Sequence, residues 1–166
     1  MKINKYESAS WNQLIDLYGD LVYRIAFQNM KCKSDAEDVT QDVYIKILQK
    51  MPLTMNESEQ KAWIIRVTIN TCKDYWRYAK RHQAIEYLEE LGHEEKVSQQ
   101  YQFLYEVSKL PLKYRNVIYL HYYEELSVKE IAQILKKKEA TILTWLHRAR
   151  KKLKEILEKE EENEKV

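Results

Sequence analysis

A chain of 166 residues with a net charge of +2 carries only two glycines and two prolines. Average usage would supply about a dozen of the first and about eight of the second. Tight β-turns and bulges depend on such residues, so sandwiches, barrels and hairpin-rich folds are disfavoured and long helices with few connections remain. Charged residues make up 33% and hydrophobic residues 45%, enough for a core and too apolar for a disordered chain. Cys32 and Cys72 match neither a disulfide framework nor a zinc spacing. No apolar run reaches the roughly 18 residues of a membrane span, and the N-terminus has no signal-peptide pattern. The expectation is a soluble, cytoplasmic protein of a reducing compartment, with no membrane insertion.

Charge is not spread evenly. Residues 1–81 carry +3, residues 82–110 carry −4, residues 111–157 carry +6 and residues 158–166 carry −3. Basic blocks can neutralise phosphates and release counterions, or they can be ordinary solvated helix faces.

In chain order, Trp11, Leu14, Ile15, Tyr18, Val22, Ile25 and Ala26 recur at helical spacing and predict a first helix over about residues 11–30. Gly19 falls inside it, where it costs about 1 kcal/mol relative to Ala, with no reason visible in the sequence. A second helix is predicted from Ser34 to Lys50. Ser34 and Glu37 form a capping box, the stripe is Val39, Val43 or Tyr44, and Ile47, and Pro52 ends it. A polar loop over residues 51–60 leads to a third helix over about 59–81. Its core stripe is Ala62, Ile65, Ile69, Cys72 and Trp76. A second stripe beside it holds Trp63, Arg66, Asn70, Lys73 and Arg77, with Tyr75 and Tyr78 near. Aromatics interleaved with cations suit single-stranded nucleic acid, although Trp63 and Trp76 also suit a core, and Tyr75 suits either place.

The acidic, weakly patterned segment 82–100, with Gly92, reads as a linker. Pro111 suits the first turn of a helix reaching about Tyr123. Ser127 with Glu130 is another capping box, opening a helix with Ile131, Ile134 and Leu135 on one side. A turn over residues 136–139, without glycine, leads to a last helix over about 140–161. It buries Ile142, Leu146, Ala149 and Leu153, leaving Thr141, Leu143, Thr144, Trp145, His147, Arg148, Lys151 and Lys152 around the outer arc. Two short helices, a tight turn and a basic second helix describe a helix-turn-helix, which places the start of its second helix in the major groove. An antiparallel helix pair with basic solvent residues has the same periodicity. Lys136, Lys137 and Lys138 in the turn would sit against a phosphate backbone.

These segments carry a resemblance. Asp35-Ala-Glu-Asp-Val-Thr-Gln-Asp-Val-Tyr44 and Trp63-Ile-Ile-Arg-Val-Thr-Ile-Asn-Thr71 resemble region 2 of bacterial sigma-70-type factors. Leu110-Pro-Leu-Lys-Tyr-Arg-Asn-Val117, Leu126-Ser-Val-Lys-Glu-Ile-Ala132 and Leu146-His-Arg-Ala-Arg-Lys-Lys-Leu153 resemble region 4. Their order, with only a short linker between, is that of the extracytoplasmic-function (ECF) group, and the resemblance covers about residues 10–157.

The resemblance implies an all-α protein of two small helical domains. Residues 1–81 would be a three-helix region 2 domain, 82–100 the acidic linker, and 101–166 the helix-turn-helix region 4 domain with an acidic tail. It implies a transcription initiation subunit whose partners are bacterial core RNA polymerase, promoter DNA and an anti-sigma factor. By position, Asp38, Gln41, Asp42 and Lys46 would meet the polymerase clamp helices. Asn56, Glu57 and Ser58 would capture a flipped base of the melted −10 element. Trp63, Arg66, Asn70, Lys73 and Arg77 would lie along the strand. Lys138, Thr141, Leu143, Thr144, Trp145, Arg148 and Lys151 would contact the −35 duplex. Leu143-Thr-Trp145 departs from the family habit of basic residues around a small hydroxyl. Leu143 could touch a thymine methyl, and Trp145 could pack on sugar or on a neighbouring helix.

Two other readings of the residues stand beside this one. A helix-turn-helix regulator would bind an operator unaided, most simply as a dimer. An enzyme acting on nucleic acid would need a constellation that is hard to find. His82, His93, His121 and His147 are scattered, and Asp35, Asp38 and Asp42 have no histidine near them. No catalytic residue, metal or cofactor is expected.

Overall fold

A computed structural model describes residues 8–30, 32–81 and 105–164. The linker expected over 82–100 lies outside the described residues. The described elements are all helical. The chain divides into two compact units, residues 1–91 and 92–166.

The first unit is built from α1 (Ser8–Asn29), α2 (Lys33–Lys50) and α3 (Glu57–Arg81), each packed on the other two. Its core joins Tyr18, Leu21, Val22, Ile25 and Ala26 of α1, Val39, Val43 and Ile47 of α2, and Ile64, Ile65, Ile69 and Cys72 of α3. Val43 rather than Tyr44 therefore continues the α2 stripe. Tyr44 packs edge-on against Trp11, with ring centroids 6.0 Å apart. A Cβ on Gly19 would meet the Tyr44 hydroxyl at 3.0 Å. An alanine there would require the Tyr44 hydroxyl to give way by a few tenths of an ångström, which works against alanine's higher helix propensity.

Two helix starts differ from expectation. Ser34 does not cap α2: the cap position is Cys32, in extended conformation and with no side-chain hydrogen bond. Glu37 instead approaches Lys33 at 3.8 Å. The helix begins one residue early, at Lys33, so Ser34 lies within the first turn, followed by buried Asp35 and Ala36. The α3 helix also starts earlier than predicted, at Glu57, and the loop is correspondingly shorter. Asn56 caps it reciprocally: the Glu59 amide donates to Asn56 Oδ1 and the Asn56 amide to Glu59 Oε2, both at 3.0 Å.

Partly buried polar ties then join the three helices. Trp76 Nε1 donates to the Asn29 carbonyl at 2.9 Å, and the Tyr75 hydroxyl to Asp35 Oδ1 at 2.5 Å. Lys46 Nζ donates to Thr71 Oγ1 at 2.9 Å, and the Tyr18 hydroxyl to the Glu57 carbonyl at 3.3 Å.

The second unit runs from a helical turn at 105–108 through α4 (Leu112–Ile118), a π-helical turn (Tyr119–Tyr123), α5 (Val128–Leu135) and α6 (Glu139–Glu164). Pro111 is not in the first turn of α4 but is its cap, one position earlier. Its carbonyl accepts from the Tyr114 and Arg115 amides at 2.8 and 3.1 Å. In the π turn the Glu124 amide reaches back five residues to the Tyr119 carbonyl at 3.1 Å. The Tyr119 and Tyr123 rings stack with centroids 5.0 Å apart, and the Tyr119 hydroxyl donates to Glu124 Oε1 at 2.7 Å. The predicted Ser127–Glu130 capping box is formed in full.

The turn between α5 and α6 manages without glycine because Lys136 itself takes the left-handed conformation, φ 52° and ψ 51°. The Lys137 amide bonds the Ala132 carbonyl at 2.9 Å and the Lys136 amide the Gln133 carbonyl at 3.3 Å, a Schellman closure. Ile142, Leu146 and Ala149 bury the inner face of α6 against Val117, Ile118, Ile131 and the rest of this core. Leu153, expected in the same stripe, is half-buried.

Candidate nucleic-acid interface

The outer arc of α6 and the turn before it form a basic exposed surface. Lys136, Lys137 and Lys138 are exposed in the turn, and Arg148, Lys151 and Lys152 farther along the helix. Leu143 is 55% exposed. The Thr144 hydroxyl donates to the Ala140 carbonyl at 2.9 Å, so its oxygen keeps only lone pairs for a ligand. Two expected members lie off this arc. Thr141 is half-buried, and half-buried Trp145 faces α4, with Lys113 Nζ 5.7 Å from its ring centroid. The same ammonium lies 5.1 Å from the Tyr114 ring. Of the two placements open to Trp145, contact with a neighbouring helix is the one present. Arg150, which the spacing does not single out, donates to the Tyr122 hydroxyl at 3.0 Å.

On α3 the second stripe is present but graded. Trp63 and Arg66 are half-buried, while Asn70, Lys73 and Arg77 are exposed. Fourteen residues separate its ends, about 21 Å of helix. Arg77 pairs with Asp74 at 3.2 Å, an exposed contact that holds it weakly. Of the two places open to Tyr75, the interior one is present: its hydroxyl is turned to buried Asp35. Tyr78, 59% exposed, is the ring presented to solvent there.

The connection before α3 is anchored at its base. The Asn56 side chain caps the helix, Gln60 Nε2 donates to the Met55 carbonyl at 3.2 Å, and Tyr18 holds the Glu57 carbonyl. Glu57 and Ser58 therefore belong to the first turn of α3, not to the loop. Both are exposed. The loop proper presents Pro52, Leu53 and Thr54.

On α2, Asp38, Gln41 and Asp42 share an exposed face. Lys46 does not complete it, since it is half-buried and its ammonium bonds Thr71. Ile45, 50% exposed, stands in its place. The sequence carries a signal for Ile45, an isoleucine outside the Val39–Val43–Ile47 stripe.

The remaining chemistry is quiet. Burial pushes the Cys72 thiol up to about 12 and also raises that of Cys32. Burial lowers the Arg115 guanidinium, whose Nε donates to the Leu110 carbonyl at 2.5 Å. No group of three or more potential metal ligands occurs among the described residues, and none of their helices is long and apolar enough to cross a membrane.

Known proteins match this chain on both units. The family described as Sigma-70 region 2 matches residues 14–82, and Sigma-70, region 4 matches residues 101–153. The RNA polymerase sigma factor SigV of Bacillus subtilis is 31% identical over 145 residues, covering 84% of this chain and 86% of the relative. The ECF RNA polymerase sigma factor SigW of the same organism is 24% identical, covering 94% and 93%. Among solved structures, the sigma factor RpoE of Bartonella quintana, in complex with the anti-sigma factor NepR, matches with a TM-score of 0.71 at 22% identity, over 90% of this chain and 97% of that one. CnrH in complex with the cytosolic domain of CnrY gives 0.64 at 22% identity, over 92% and 90%. At that identity the structural likeness is one of fold.

Proposed function

From the premise that this chain belongs to the sigma-70 family of RNA polymerase sigma factors, in its ECF group, we propose how its surfaces divide the work of directing transcription initiation. Residues 1–81 bind core polymerase and the melted −10 strand, 82–100 link, and 101–166 bind the −35 duplex. Asp38, Gln41 and Asp42 offer carboxylates and an amide to a basic surface of the polymerase. Lys46 supports that face through Thr71. Asn70, Lys73 and Arg77 track the single-stranded phosphates, with Tyr78 as an accessible stacking ring and Trp63 and Arg66 at the inner edge. Glu57, Ser58 and the Asn56 amide group stand at the mouth of the loop where a flipped base would enter. Lys138, Arg148 and Lys151 hold the duplex by its phosphates, and Leu143 and Thr144 face base edges. Thr141 and Trp145 support α6 from the side.

The observation that carries this reading is the outer arc of α6, basic and exposed, set behind a complete capping box and a closed turn. The chain catalyses nothing itself and works in the cytoplasm, where polymerase and promoters are. An anti-sigma factor is its proposed regulator, as NepR is the partner of the Bartonella RpoE. Run-off transcription with purified core polymerase on genomic templates tests the reading. Start sites that appear only with the chain present support it. Tight operator binding without polymerase, or no promoter-dependent synthesis, refutes it.

A further inference from the structure

The outer arc of α6 divides into two chemically different halves. Ala140, Leu143, Thr144 and His147 come first, then Arg148, Lys151 and Lys152, all of them exposed. Apart from the His147 imidazole, the first half offers little polar chemistry. Ala140 ends in a methyl, Leu143 is 55% exposed, and the Thr144 hydroxyl proton is already given to the Ala140 carbonyl. Trp145 does not cover Leu143. Two positions farther on, it leaves the helix about 200° away, on the side where Lys113 approaches its ring.

A recognition helix meets base edges with its N-terminal residues, while cations farther along take phosphates. In the major groove the distinctive apolar mark is the thymine 5-methyl; the other edge groups are donors and acceptors. A leucine at this place cannot answer those groups, but it can remove a methyl from water while leaving water itself.

We infer that Leu143 reads a thymine methyl in the −35 duplex, distinguishing thymine from other bases by an apolar contact whose register Arg148 and Lys151 set on the phosphates. The inference rests on the proposed role of this unit in −35 binding. It assigns to this chain a base preference made without the basic side chains expected around Thr144.

Uracil differs from thymine by that methyl alone, which makes the test direct. The chain bound to core RNA polymerase selects from a pool of randomised promoter-length duplexes. The selected upstream element is then synthesised with thymine or deoxyuridine at each position. The expected result is about fourfold weaker binding when one particular thymine becomes uracil, the loss for one buried methyl. Leu143→Ala should bind the two versions equally, and Leu143→Met should keep the preference. A selected element that the unaltered chain binds equally well as thymine or uracil overturns the inference and leaves −35 binding standing. A preference that survives in Leu143→Ala also overturns it, since another residue then makes the contact. Selection of no upstream element overturns both.

Discussion

Both helical units have an apolar core, but the polar contacts described for them differ. In the first, the polar contacts that join helices connect residues far apart in sequence: 25 for Lys46–Thr71, 39 for Tyr18–Glu57, 40 for Tyr75–Asp35 and 47 for Trp76–Asn29. In the second, the polar contacts described around the helix-turn-helix lie within a helix start or turn: three residues for the Ser127–Glu130 box and five for both Tyr119–Glu124 and His121–Leu126. The Arg150–Tyr122 contact spans 28, but it lies on the surface. Local devices let a short segment impose its own shape, which suits a recognition helix that must be aimed. Distant ties set helices against one another, which suits a unit presenting separate surfaces on α2 and α3.

This contrast can be broken at several points. The largest effect is expected from Tyr75→Phe, which leaves the buried Asp35 carboxylate without this donor and should cost about 2 kcal/mol in urea unfolding. A change below about 0.5 kcal/mol would show that this distant tie is dispensable. Next, Gln41→Ala with Asp42→Ala should weaken core polymerase binding about tenfold, or about 1.4 kcal/mol, with the fold intact. Lys46→Ala should instead lower stability and leave affinity nearly unchanged, as a competition assay with core polymerase would report. Arg148→Ala should reduce the salt slope of promoter binding by about one unit if it neutralises one phosphate; an unchanged slope places that contact elsewhere.

The local devices make smaller, sharper predictions. Ser127→Ala should cost about 1 kcal/mol and Ser34→Ala almost nothing, because only the first is a working cap. Equal losses on thermal melting would contradict the cap assignment of α2. Lys136→Gly should stabilise by about 1 kcal/mol by relieving a left-handed lysine. The smallest net change is expected for Gly19→Ala, where about 1 kcal/mol of helix propensity is offset by crowding against the Tyr44 hydroxyl. In a Tyr44→Phe background, the same substitution should stabilise.

Three sequences of the form Ser/Asn-x-x-Glu show how far local pattern reaches. Ser127–Glu130 forms the box its sequence announces. Asn56–Glu59 forms one in a segment whose polar composition reads as loop. Ser34–Glu37 forms none. There α2 starts at Lys33, ahead of the serine, with Asp35 and Ala36 buried behind it, so the pattern does not fix the start. The stripes on α1, α3 and α6 are legible because a helical period marks a buried face regardless of what covers it. Tyr75 and Lys46 escape such a pattern because an aromatic or a lysine on a helix fits a ligand surface and an interior tie equally well until the partner helix is known. Trp145 has two open placements in the sequence for the same reason.

Composition, period and motif order by themselves determined that this chain is all-helical, that it has two modules, and which family it resembles. Each of these comes from backbone preferences and from the spacing of apolar residues along one chain. Only the tertiary structure decided what a side chain at Gly19 would meet, which serine caps a helix, and that Leu143 rather than Trp145 stands out from α6. Each of those depends on where the helices actually start and pack, and neither composition nor period encodes that.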